Sequence, residues 1–305
     1  MKIAFFGATK YSYELLQFLL ENNFDVCAIF TLPEELRLSY PKGDMHIYNY
    51  ANLKEIGDKY GIPTIEIKKK NLNYYEEIKH CAPDLILVSG WYLMLSKKII
   101  EIPSRGCIGI HFSLLPKYAG GAPLVWAIIN GEKETGITLF YFNEQIDAGD
   151  IIAQERFTID YTDDISSVYH KATQSSKHIL LENIPKLEKG ITIRTKQDLS
   201  QRTVYPIRKP EEGKIDWSKS AEQIRNFVRA QTKPYPGAYS YIHGEKITIW
   251  HSEVVKTGLS ANSAGKILDI EEGAYVVSTG EDCLRLIEFE PEKLQKVINK
   301  NDFFQ

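Results

Sequence analysis

The chain opens "KIAFFGATKYSYELLQFLLENNFDVCAIFT", and the period of its apolar positions changes twice within that stretch. Ile3 to Phe6 form an unbroken apolar run of strand length. Gly7 interrupts it, and Tyr13, Leu16, Phe18 and Leu19 then recur at near-helical spacing before a second apolar run ends at Thr31. Strand, helix, strand in that order predicts a βαβ unit. "NYYEEIKHCAP" repeats the helical pattern and leads into "DLILVSG", Asp84 to Gly90, a continuous apolar run that fits a strand covered on both faces. "GCIGIHF" supplies one more strand. The alternation predicts an open, mostly parallel, Rossmann-like α/β sheet, whose ligands bind at the carboxyl ends of the strands where the winding reverses. Gly90 and His111 both fall at such ends. Gly7 alone does not make the GxGxxG fingerprint of a dinucleotide site, and a tight turn accounts for it.

Farther on the pattern changes character. "PEELRLSYPKGDMHIYNY" is polar, aromatic and punctuated by prolines, which predicts a long functional or mobile loop. "SSVYHKATQSSKHILLENIPKLEKG" reads as a helix, and "ITIRTKQDLSQRTVYPIRKPEEGK" lacks a sustained period and reads as a linker. Beyond it, "SAEQIRNFVRAQ" is a helix with Ser220 and Gln223 placed as a capping box. Short strand-like pieces follow, separated by glycine and acidic turns, and predict a small OB-like barrel or curled sheet. The expected division is a Rossmann-like domain over 1–190, a linker over 191–210 and a β-rich domain over 211–305, in a chain of 305 residues that is long for a single core.

Composition narrows the function classes. Lys and Arg total 37 against 40 Asp and Glu, a net charge of −3, so no global field draws the chain to a polyanion. "KKK" at Lys68 to Lys70 reads as a solvated face. Cys27, Cys81, Cys107 and Cys283 are scattered without CxxC or a zinc-ligand spacing, which predicts four buried thiols in a reducing compartment and no metal. No run approaches the ~20 apolar residues of a membrane span, and no signal-peptide cleavage site follows the N-terminus. A cytoplasmic protein is expected, with oligomeric state unspecified.

The densest chemistry lies in "GCIGIHFSLLPKYAGGAPLVWAIINGEKETGITLFYFNEQIDAGDIIAQ", Gly106 to Gln154. His111 stands at a strand end, a Pro/Gly-punctuated loop and a short helix follow, then a threonine-bearing strand and Asp147. A histidine and an aspartate on neighbouring strands have the makings of an acid/base pair, although each alone is more often structural.

This segment resembles the signature of the folate-dependent formyltransferases, which reads approximately Asn-x-His, Ser-Leu-Leu-Pro, Gly-x-Ala-Pro and Asp-x-Gly. The resemblance extends to the opening βαβ, to "LVSGWYLML", and to "EGKIDWSKSAEQIRNFVRAQTKPYPGAYSYIHGEKITIW", which is similar to the second domain of methionyl-tRNA and sugar N-formyltransferases. It implies transfer of a formyl group from N10-formyltetrahydrofolate to an amine, without a metal. It also implies that His111 polarises the formyl oxygen or stabilises the oxyanion, that Asp147 orients the imidazole and relays the amine's proton, and that Ser89, Gly90, Trp91 and Tyr92 border the folate. Lys117, Tyr118 and Ala119 correspond to the loop beside the acceptor, where relatives often carry arginine at the place of Ala119. Gly109 is a departure: the family's asparagine amide is missing there. A replacement donor such as Ser113, a backbone N–H or water, a slow enzyme, and a binding protein that has lost turnover are the alternatives.

The loop after the second strand begins with acidic residues and holds only Arg37 and Lys42 as cations, a poor clamp for phosphates. The favoured acceptor is therefore the amine of a nucleotide-linked amino sugar. Methionyl-tRNA is the alternative, mildly supported by Arg194, Lys196, Arg202, Arg208 and Lys209.

Overall fold

The structure, a computed structural model, describes residues 1–39, 42–47, 49–68, 74–191, 194–257, 263–271, 273–291 and 298–305. It falls into two compact units that interleave along the chain: residues 1–120, 136–157 and 171–204 form the first, and 121–135, 158–170 and 205–305 form the second.

The first unit is built on β1 (Ile3–Phe6), α1 (Lys10–Glu21) and β2 (Val26–Thr31), the βαβ opening. After the β3 (Glu35–Ser39) and β4 (Lys42–His46) pair come α2 (Lys54–Tyr60), β5 (Thr64–Glu66), α3 (Tyr75–Cys81), β6 (Leu85–Val88), α4 (Lys97–Ile100) and β7 (Cys107–His111). Beyond β8 (Ala119–Gly120) and α5 (Pro123–Ile129), the strands β9 (Glu134–Tyr141) and β10 (Ile151–Thr158) complete a seven-stranded sheet of order β10-β9-β7-β6-β1-β2-β5. The ladders from β5 to β7 are parallel, and β9 runs antiparallel to β7 with His111 opposite Thr138. β1 and β6 are buried at every position, as continuous apolar runs covered on both faces require.

Helix α1 starts on a capping box between Thr9 and Ser12, and its buried face runs through Tyr11, Ser12, Leu15, Leu16 and Leu19. Of the expected stripe, Tyr13 and Phe18 lie half-exposed. Tyr11 was masked as a core residue by its hydroxyl, which finds a partner in Ser176 Oγ at 2.8 Å on α6 (Ile165–Glu188).

Three expectations need correction. The segment read as a loop contains the antiparallel hairpin β3–β4, with Glu35 opposite His46 and an ion pair of 2.6 Å between their side chains; Tyr40, Pro41 and Tyr48 lie outside the described residues. Of the four cysteines, all free, only Cys107 and Cys283 are buried. Cys27 and Cys81 are half-exposed, donate to the Ile3 and Ile78 carbonyls, and influence each other so that the Cys27 thiol is pushed up and the Cys81 thiol down. Third, residues 194–204 do more than connect, as the site will make plain. Of the lysine run, Lys68 is exposed and pairs with Glu66 at 3.1 Å, while Lys69 and Lys70 lie outside the described residues.

β11 (Val204–Tyr205) straddles the boundary between the units, and in the second unit α7 (Ala221–Arg229) opens on the Ser220/Gln223 capping box. Strands β12 (Ala238–Ile242), β13 (Glu245–Val255), β14 (Ile267–Glu271), β15 (Ala274–Ser278) and β16 (Cys283–Glu290) form an antiparallel sheet of order β12-β13-β16-β15-β14. Ile224 and Val228 of α7 join Ile247, Ile249, Leu284 and Leu286 in its core. Among the described residues no helix is long and apolar enough to cross a membrane.

Candidate active site

His111 ends β7, and its side chain is only 10 % exposed. Its Nε2 lies 2.8 Å from the Tyr118 carbonyl oxygen. A carbonyl can only accept, so Nε2 carries the proton and donates it, and in the neutral ring Nδ1 keeps its lone pair. Nδ1 faces Asp147 Oδ2 at 3.7 Å, close enough for a carboxylate to stabilise a charged ring and too long for a direct hydrogen bond. The structure thus brings the predicted pair together in the first unit.

Asp147 sits where the chain turns from β9 to β10, in a left-handed conformation of φ 51°. The "DAG" sequence has a steric reason: a Cβ added at Gly149 would lie 1.7 Å from the Tyr141 carbonyl oxygen, so only glycine lets the turn fold back on the strand end. The Asp147 carboxylate is fixed by the Gly120 N–H, which donates to Oδ2 at 2.8 Å. From the other side Gln197 Nε2 donates to the carbonyls of Asp147 at 2.9 Å and Gly149 at 2.8 Å, and Arg202 donates to that of Ile146. Neither Gln197 nor Arg202 was expected here, because their segment has no period and its contacts are made by single polar groups. Arg194, from the same segment, lies 3.6 Å over the Tyr141 ring.

The loop after His111 is held by one buried hydroxyl. Thr138 Oγ1 donates to Ser113 O at 2.6 Å and accepts from Leu115 N at 3.0 Å and Gln154 Nε2 at 2.9 Å. Ser113 Oγ donates to Lys117 O at 2.7 Å, so its single proton is spent inside the loop and is not offered to an oxyanion. Lys117 is exposed. Tyr118, at φ 57°, donates its N–H to Thr203 Oγ1 and turns its carbonyl to His111. Ala119 is fully buried, packs with Leu115 and Phe140, and donates its N–H to Thr203 O, so this residue expected beside the acceptor is part of the core.

Beside Asp147 a cavity of about 60 Å³ is lined by Leu93, Met94, Ile146, Phe140 and Phe142, with the amides of Asn143 and Gln145 at its edge. Phe140 and Phe142 stack at 5.2 Å between centroids and 28° between planes. Flat aromatic and aliphatic walls with a few polar groups suit a heteroaromatic ring such as a pterin. A groove of about 600 Å³ lined by Pro63, Ile65, Glu77, His80 and Cys81 is far larger, but its walls do not include Asp147, and it is the carboxylate facing His111 rather than volume that marks the smaller cavity. Its lining takes up the chain at Leu93. Of the four residues expected at the folate, Ser89 is buried, Gly90 turns at φ 59°, Trp91 packs edge-on to Phe6 at 5.2 Å, and Tyr92 is exposed. Gly109 pairs with Val88 and Phe140 in the ladders on either side of β7. Among the described residues no group of three or more His, Cys, Asp or Glu side chains is disposed to hold a metal ion.

Comparison with known proteins bears on this arrangement. The profile of the formyl transferases matches residues 1–184, and that of the formyl transferase C-terminal domain matches residues 208–305. The chain is 34 % identical to the methionyl-tRNA formyltransferase of Caldanaerobacter subterraneus over 299 residues, covering 97 % of this chain and 94 % of that protein. In fold it resembles an N-formyltransferase from Helicobacter canadensis solved with folinic acid and dTDP-3-aminofucose (TM-score 0.67, 20 % identity, 94 % of this chain and 98 % of that one). It also resembles HypX from Aquifex aeolicus solved with tetrahydrofolic acid (TM-score 0.66, 20 % identity), covering 95 % of this chain and 44 % of that longer one. With both profiles matched in order over nearly its whole length, the chain belongs to the formyl transferase family, enzymes that draw their one-carbon unit from N10-formyltetrahydrofolate.

Proposed function

We propose that the protein formylates the amino group of methionine esterified to tRNA, with His111 and Asp147 handling the proton. The observation that carries the acceptor is whole-length similarity to methionyl-tRNA formyltransferases, 34 % over both domains. This departs from the expectation of a sugar acceptor.

When bound, N10-formyltetrahydrofolate supplies the formyl group. The residues of the chain supply proton management around it. With Nε2–H held by the Tyr118 carbonyl, neutral His111 can take at Nδ1 the proton that the attacking amine loses and return it to the nitrogen from which the formyl group departs. The imidazolium so formed stands 3.7 Å from Asp147, whose charge offsets it, and its Nδ1–H becomes the donor that a developing negative oxygen needs. Gly120 N–H and Gln197 keep the carboxylate and its turn in place through this change. Aromatic and aliphatic walls beside Asp147 exclude water and orient a flat ring.

A nucleotide-linked amino sugar is the second reading, favoured by the β3–β4 region: it begins with Glu34 and Glu35 and carries only Arg37 and Lys42 as cations. Three of the five cations counted toward tRNA are also engaged within the protein. Arg194 stacks on Tyr141, Arg202 binds the Ile146 carbonyl, and Arg208 donates to Glu212 O at 2.7 Å and to Gln231 at 2.9 Å. The test is formyl transfer from N10-formyltetrahydrofolate by the purified protein, with charged initiator Met-tRNA in one arm and dTDP-, UDP- and GDP-linked amino sugars in the other. Product on tRNA alone supports the proposal, and product on sugar alone replaces it with the second reading. Folate binding without product in either arm refutes turnover on these acceptors.

A further inference from the structure

We infer that Phe142 occupies the space into which any side chain at position 109 would project, so that this enzyme builds the wall beside His111 from an aromatic ring instead of a side-chain amide. The inference rests on the formyl-transfer reading above and deepens it by assigning a determinant of the site that the signature motifs leave out.

The geometry is specific. Gly109 lies two residues before His111 on β7. A Cβ built on it would meet Phe142 Cε1 at 2.4 Å, Phe142 Cζ at 2.9 Å and the Val88 carbonyl oxygen at 3.1 Å. The first two separations are well inside carbon–carbon contact distance, where attraction has turned to repulsion. The ring cannot step aside cheaply. It stacks on Phe140, itself almost fully buried, and the Phe142 backbone is pinned by its N–H donating to Cys107 O at 2.8 Å. The third contact is backbone of the neighbouring strand, fixed by the β6–β7 ladder.

The same ring also lines the cavity that reaches Asp147. Position 109 and position 142 are therefore one steric unit: an apolar ring above a glycine here, where the resemblance has asparagine at the first. Ser113 does not restore the missing donor, since its proton goes to Lys117 O. Nδ1 of His111, once protonated, is a side-chain donor beside this wall.

The test is a double-mutant cycle on the full-length protein with Gly109→Asn and Phe142→Ala, separately and together. Gly109→Ala runs beside it, because that change adds only the colliding atom and is the gentler perturbation. Melting temperature is read for every variant, and kcat and the KM for N10-formyltetrahydrofolate are read with whichever acceptor the protein formylates. Either substitution at 109 is expected to lower the melting temperature in the native background and to cost much less once Phe142→Ala has opened the space. In the Phe142→Ala background, Gly109→Asn is expected to raise kcat by about 100-fold, the lower end of what one oxyanion donor contributes.

Equal losses of melting temperature in both backgrounds, or none from Gly109→Ala, overturn the steric pairing. Coupled melting temperatures with unchanged kcat in the double variant overturn the claim that the ring stands in for an amide. Failure of the underlying reading looks different: no variant, nor the parent, transfers formyl to any acceptor, while the coupling in melting temperature persists.

Discussion

Replacing Thr138 by valine keeps the shape of a fully buried side chain and deletes the hydroxyl that organises the loop after His111. Three partners lose it: the Ser113 carbonyl at 2.6 Å, the Leu115 N–H at 3.0 Å and Gln154 Nε2 at 2.9 Å. Gln154 keeps the Leu115 carbonyl at 2.8 Å, so two backbone groups carry the main loss. A buried group stripped of its partner costs about 1–3 kcal/mol, and the added methyl returns about 0.8 kcal/mol of burial. The expected destabilisation is about 1–5 kcal/mol. At about 2–4 °C per kcal/mol for a body of this size, the first unfolding transition should fall by about 2–20 °C. Calorimetry with circular dichroism reads this. Thr138→Ser, which keeps the hydroxyl, is the control and should lose less than half as much. Catalysis should suffer with stability, because the loop delivers the Tyr118 carbonyl that sets the His111 tautomer. A valine variant within about 0.5 kcal/mol of the parent, or a serine variant losing as much as valine, would refute the claim that one hydroxyl holds this loop.

Other perturbations test neighbouring parts of the site. Asp147→Asn keeps an oxygen for the Gly120 N–H and removes the charge facing His111; kcat is expected to drop about 100-fold or more with folate binding retained, and full activity would remove the proton role. Gly149→Ala puts a methyl 1.7 Å from a carbonyl oxygen, which the turn cannot absorb; soluble yield and melting temperature should collapse, and a variant as stable as the parent would contradict the packing. Glu155 accepts from His178 Nδ1 at 2.7 Å and holds that imidazole above its usual 6.5. Because the folded value is raised, the stabilisation is fully present below the unfolded value and fades as pH rises through the folded one. An NMR titration of His178 should show its midpoint fall toward 6.5 in Glu155→Gln, and an unmoved midpoint would exclude Glu155 as the cause.

What the sequence made readable was whatever repeats with the period of its own element. Continuous apolar runs located β1 and β6, a helical stripe located α1, and Ser220 with Gln223 located the start of α7. The pairing of His111 with Asp147 was legible through a motif, since their spacing alone left both structural readings open. The β3–β4 hairpin was hidden because its strands carry charged and small residues and an apolar alternation too short to outweigh Pro41 between them and Gly43 within the second. Gln197 and Thr203 were hidden for a different reason. They act through a side-chain amide, a hydroxyl and a backbone carbonyl, groups that leave no periodic trace. The partner of His111 is the carbonyl of Tyr118, an atom every residue possesses, and only the left-handed turn at that residue aims it.

The clamp on Asp147 has an implication for synthesis. Gln197 and Thr203 follow α6 in the chain, so a polypeptide that has emerged from the ribosome only as far as that helix already displays the imidazole and the carboxylate but lacks the pieces that hold their loops. The groups that pin both loops are therefore the last to be made, after every strand of the seven-stranded sheet has been synthesised.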